Sequence, residues 1–134
     1  MHRLAVARRV GVGVAGLALA AALVAPAALG HAGAAPKLIG NAKAGKAAFQ
    51  STCGACHTLK AAGALGQIGP NLDKAAPALT EALIIKAITN GGSTIMTPAA
   101  RAKYTTMMVA YKGTLPTSVI DNIAAFVYSS THKM

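Results

Sequence analysis

The sequence predicts a small helical domain preceded by an export signal, and three observations carry that reading. Apolar residues toward the C-terminus recur at helical spacing, and no run alternates as a half-buried strand does. The chain's two cysteines fall together in Cys53-Gly54-Ala55-Cys56-His57. Residues 35–134 hold two Phe, three Tyr and no Trp among a great many alanines. A domain of this size buries only about 60–70% of the surface its unfolded chain exposes. With so few bulky side chains, the interior needs apolar volume from elsewhere.

The leader comes first. Met1 to Arg9 carries Arg3, Arg8 and Arg9 with no acid, and Val10 to Gly30 is free of charge and dense in Ala, Val, Leu and Gly. Ala32-Gly33-Ala34 then supplies the small residues that a signal peptidase reads. Residues 1–34 are therefore read as a signal peptide cleaved after Ala34, or as an N-terminal membrane anchor, since the 21 positions of Val10–Gly30 are just enough to span a bilayer. Either way residues 35–134 form the domain, and it lies outside the cytoplasm.

Within that domain, Asn41 to Cys53 reads as a first helix with Gly45, Ala48 and Phe49 on its inner face. Thr58 to Leu72 is read as a loop, broken by Gly63, Gly66 and Gly69 and ending Gly69-Pro70-Asn71-Leu72. Ala78 to Asn90 is a second helix, with Thr80 as candidate N-cap, Leu79, Leu83, Ile84 and Ile88 as core, and Asn90-Gly91-Gly92 as its stop. Thr97-Pro98 opens a short helix to about Tyr104, as an N-cap followed by a first-turn proline. Thr117 to Tyr128 is the last helix, with Val119, Ile120, Ile123, Ala124, Phe126 and Val127 at helical spacing and a capping box from Ser118 to Asp121. Ser129 to Met134 reads as a polar tail.

The cysteine motif has the spacing of a c-type haem attachment site. Two thiols three positions apart on one helical turn can each add to one vinyl group of a haem edge. The next residue, His57, then brings its imidazole under the iron as the proximal ligand. One haem c per chain also supplies the apolar volume that the composition lacks. Three other uses of the pair fit less well. A thioredoxin-like redox pair needs a βαβ context, a zinc site needs two further ligands nearby, and a disulfide across so tight a loop is strained.

From residue 35 onward ten Lys and Arg stand against Asp73, Glu81 and Asp121, a balance of about +7. Such an excess steers a protein toward acidic partners or anionic membrane surfaces. Nucleic acid is rejected as a partner, because the lysines are scattered singly with little aromatic interleaving.

In this order the pieces resemble a small class I cytochrome c of bacterial type over nearly all of residues 35–134. The resemblance rests on Gly45-x-x-x-Phe49, the Cys53/Cys56/His57 motif, Gly69-Pro70-Asn71-Leu72, Asn90-Gly91-Gly92 and the closing Ile120–Val127 helix. It implies an all-α domain wrapped around one covalently bound haem, with the first and last helices crossing near Gly45 and Phe126. It implies too that the Pro70 carbonyl accepts the other ring N–H of His57. Family members place an axial methionine in a Met-Pro-x-Phe/Tyr run after the Asn-Gly-Gly turn. Here Met108-Val109-Ala110-Tyr111 matches that run, with Val109 where proline is expected and Ser93–Met107 as extra residues. Met108 is thus the candidate sixth ligand and Met96 the runner-up, with Met107, or no methionine, as further alternatives. His2, His31 and His132 are read as bystanders. A Met and a His on the iron imply electron transfer and no enzyme activity: an extracytoplasmic carrier of a respiratory or dehydrogenase chain, docking on acidic surfaces of membrane oxidases, reductases or dehydrogenases. The alternatives are a haem subunit of a larger oxidoreductase and a haem protein with an open sixth position. Lys43, Lys46, Lys60, Lys74 and Lys112 are the candidates to ring the haem edge, and residues 10–30 are a possible membrane tether.

Overall fold

The chain enters its first helix under tight control. Asn41 is extended, and its side chain accepts the N–H of Ala44 at 3.1 Å, satisfying one of the unpaired donors of the first turn. Its own backbone N–H donates to Oδ1 of Asn122 at 2.7 Å, so the cap also ties this helix to the last one. These features come from a computed structural model, which describes residues 37–75 and 78–132. The signal or anchor read at residues 1–34 lies outside the described residues. Among the described residues no helix is long and apolar enough to cross a membrane.

Among the described residues four α-helices carry the fold: α1 (Ala42–Thr52), α2 (Glu81–Asn90), α3 (Pro98–Lys103) and α4 (Thr117–Thr131). A small antiparallel hairpin, β1 (Thr58–Leu59) and β2 (Ala64–Leu65), pairs Thr58 with Leu65 and Leu59 with Ala64. This corrects the reading of Thr58–Leu72 as plain loop. Two-residue strands are too short to leave an alternating pattern in a sequence.

The core forms where α1 crosses α4. A side chain at Gly45 would overlap the carbonyl of Asn122 and come within 2.8 Å of Phe126 Cβ, so glycine alone permits this approach. Phe49 and Phe126 then meet with ring centroids 5.8 Å apart, tilted by 59°, a favoured edge-on arrangement. Ile120, Ile123, Ala124 and Val127 of α4 and Ile84 and Ile88 of α2 complete the cluster.

Thr80 caps α2 by accepting the N–H of Leu83 at 3.2 Å. The helix therefore begins at Glu81 and not at Ala78. Leu83, expected in the core, is 37% exposed, and Ala87 is buried in its stead. The face of α2 that meets α4 is the one carrying Ile84, Ala87 and Ile88. Thr97 caps α3 through the N–H of Ala100 at 3.2 Å, with Pro98 in the first turn. For α4 the capping box of Ser118 and Asp121 is absent. The helix starts at Thr117, where the sequence places it, but with Pro116 as its N-cap, and Val119 and Ile120 donate to the Pro116 carbonyl at 2.9 and 3.1 Å. It also runs to Thr131, into the supposed tail. The hydroxyls of Ser129 and Thr131 bond back to the carbonyls of Phe126 and Val127 at 3.1 and 2.9 Å, so polar side chains here sit comfortably in a helix.

Candidate functional site

The end of α1 shapes the motif. Cys53 is the C-cap, its N–H bonded to the Phe49 carbonyl at 2.8 Å. The chain then tightens, and the N–H groups of Cys56 and His57 both donate to the Cys53 carbonyl, at 3.1 and 3.0 Å. This single turn brings Cys53, Cys56 and His57 onto the wall of one cavity. Both cysteines are free thiols. Burial, and then the neighbouring Cys56, push the Cys53 thiol up to about 11. A thiol so raised is the reverse of the activated thiolate used in redox exchange or zinc binding. Among the described residues no cluster of three His, Cys, Asp or Glu could hold a metal ion by itself.

Nδ1 of His57 lies 2.9 Å from the carbonyl oxygen of Pro70. A carbonyl only accepts, so Nδ1 carries the proton and Nε2 keeps its lone pair for a metal. The loop that brings Pro70 is pressed against the ring. The N–H of Gly69 donates to Cys56 at 2.8 Å, and a Cβ at Gly69 would stand 2.6 Å from Cε1 of His57. Glycine at 69 thus lets backbone pack flat on the imidazole.

The cavity has a volume of about 830 Å³, within the usual range for a bound organic group. Phe49, Leu72, Ile84, Ile88, Ile123 and Val127 give it an apolar lining. Met108 lies on it, half-buried, in a segment bonded to the end of α2: Gly92 N–H to the Met108 carbonyl at 3.1 Å, Tyr111 N–H to Ile88 at 2.9 Å, and Lys112 N–H to Thr89 at 3.2 Å. Met96 and Met107 line the cavity too, Met107 being 36% exposed. The residues of Ser93–Met107 are a wall of the cavity, with Ile95, Met96, Ala100 and Tyr104 among its lining. His132 is not on the lining; its ring stacks on Tyr128 at 4.1 Å and its Nδ1 meets the Tyr128 carbonyl at 3.1 Å.

Of the five lysines expected around a haem edge, Lys74 lines the cavity, and Lys43, Lys46, Lys60 and Lys112 do not. Lys103, absent from that set, does. Its position on α3 depends on where the extra segment folds, which no local pattern reveals. Tyr111 was visible only as the end of the methionine run. It also lines the cavity, and burial, then Cys53 and Cys56, raise its hydroxyl above the ordinary tyrosine value.

Two free thiols, an imidazole with Nε2 uncommitted and a thioether side chain on one apolar cavity form a donor set that fits a thioether-bound haem. A family model for cytochrome c matches residues 42–131. The chain belongs to the cytochrome c family: a mostly helical, electron-carrying haem protein whose cofactor is haem c. Among solved structures it is similar to the c-type cytochrome SorU from Sinorhizobium meliloti, with 26% identity over 67% of this chain and 90% of that one and a TM-score of 0.49. The comparison with curated proteins found no match.

Proposed function

We propose that this cytochrome c is an extracytoplasmic one-electron carrier in which Cys53 and Cys56 are the thioether anchors and His57 and Met108 bind the haem iron. The observation that carries this is the convergence of both free thiols, the Pro70-bonded imidazole and Met108 on one apolar cavity. When bound, haem c supplies a reversible single-electron couple. The chain's residues tune and insulate that couple. The Pro70 carbonyl fixes the His57 tautomer and raises its donor strength. The soft sulfur of Met108 favours the reduced iron. The apolar lining limits solvent access and so the rearrangement that a change of charge demands. Met108 is preferred over Met107 because it is the less exposed of the two.

The arginine-led apolar leader supports a location outside the cytoplasm, secreted or anchored. Lys74 and Lys103 on the cavity wall, with no Asp or Glu in the lining among the described residues, support an acidic docking surface on a membrane oxidase, reductase or dehydrogenase of a respiratory chain. The test is a pair of variants, Met108→Ala and Met96→Ala, each followed by an absorption spectrum of the oxidised protein. Only Met108→Ala is expected to abolish the sulfur–iron charge-transfer band. Its loss in Met96→Ala, with Met108→Ala unaffected, would reassign the ligand.

A further inference from the structure

We infer that Gly92 is a positioning residue for Met108: the absence of a side chain at 92 is what lets the methionine lie over the turn after α2 with its sulfur at the cavity. The inference rests on the reading of Met108 as an iron ligand.

A Cβ built at Gly92 has Met108 atoms as its three nearest neighbours, with Cβ at 3.0 Å, Sδ at 3.8 Å and Cα at 3.9 Å. The first of these is tighter than about nine in ten real Cβ contacts, so one of the two residues must give by a few tenths of an ångström. The backbone has little freedom to do so. Gly92 donates its N–H to the Met108 carbonyl at 3.1 Å, and the bonds from Tyr111 to Ile88 and Lys112 to Thr89 fix the following residues along the last turn of α2. The close atom is Met108 Cβ, which moves only with its own Cα, so relief of the overlap shifts Met108 as a whole against those hydrogen bonds and carries its sulfur with it.

Gly91 makes the contrast plain. Its φ is +93°, so glycine is demanded there by the backbone itself, whereas Gly92 is not among the glycines of positive φ. At 92 a side chain is excluded by the neighbour, and that neighbour is Met108. The resemblance leads one to expect a stiffening proline at 109. Val109 stands in its place, 65% exposed, and the hydrogen bonds to the end of α2 supply the constraint.

The experiment is Gly92→Ala in the haem-loaded protein, with Met108→Ala in parallel. Gly92→Ala is expected to keep its helical circular dichroism and its haem-bearing mass. Its sulfur–iron band should weaken, and imidazole added to the oxidised protein should bind about tenfold more tightly, because a sulfur displaced with its residue is a poorer competitor. A band and an imidazole affinity equal to those of the unmodified protein overturn the inference. Loss of helical structure overturns it as well, since Gly92 would then serve the turn and not the ligand. If the band survives Met108→Ala, the ligand assignment itself falls and this inference with it. If Met108→Ala loses the band while Gly92→Ala keeps it, only the inference falls.

Discussion

Cys53 and Cys56 share one motif but not one environment. Cys53 is buried and its thiol is pushed up to about 11, whereas Cys56 is half-buried. A thiol buried in this way stays protonated at neutral pH, so Cys53 is kept from the thiolate chemistry that the spacing alone would permit. Tyr111, half-buried on the same cavity, is raised too, and here the shift has a measurable consequence. Its folded value is raised above the ordinary 10.0, chiefly by burial. The neutral hydroxyl is therefore favoured in the folded state. The associated stability is fully present below the unfolded value and is lost as pH rises through the folded one. Denaturant midpoints of the haem-loaded protein taken at about pH 9 and about pH 11 should fall further in the native sequence than in Tyr111→Phe. Equal losses would show that the hydroxyl does not titrate with folding.

The crossing of α1 and α4 is the element on which the site depends, since the end of α1 delivers the cysteines while α4 supplies Ile123 and Val127 to the cavity. Gly45→Ala would push α1 off the Asn122 carbonyl, and we expect a loss of about 1–3 kcal/mol, read as a lower denaturant midpoint at unchanged slope. A midpoint within error of the native one would mean that the helices can shift apart without loss. This crossing was legible in advance, because the glycine and Phe49 announce it at fixed spacing and the resemblance supplied Phe126 as partner. Helix periodicity and the haem motif are likewise local, and both can be read from neighbouring residues. Other features depend on distant partners. Which face of α2 turns inward is set by α4, so Leu83 and Ala87 exchanged places relative to expectation. The Ser118–Asp121 box looked sound, but the Pro116 carbonyl had already opened the helix. The bond from His57 to Pro70 spans 13 residues and came only through the resemblance, and the lysines on the cavity could be assigned only once the chain was folded.

At the scale of the molecule, charge and the shared wall of core and cavity matter most. Asp73 spends its carboxylate on the N–H of Lys60, at 3.0 Å, and Glu81 on that of Ile39, also at 3.0 Å, so two of the domain's three acids serve the backbone. Lys74 and Lys103 meanwhile stand on the cavity wall. Oxidation of the reduced protein by hexacyanoferrate(III) should slow as salt is added, and Lys74→Glu with Lys103→Glu should lower the low-salt rate several-fold and flatten that dependence. An unchanged salt profile would remove these two lysines from the approach route. The cavity itself has a different bearing. Phe49, Ile84, Ile88, Ile123 and Val127 are at once core and cavity wall, so the helix core and the cofactor site share one apolar surface. Without haem that wall loses the apolar body it is shaped to pack against, so the haem-free protein is expected to unfold at a lower denaturant concentration than the haem-loaded one.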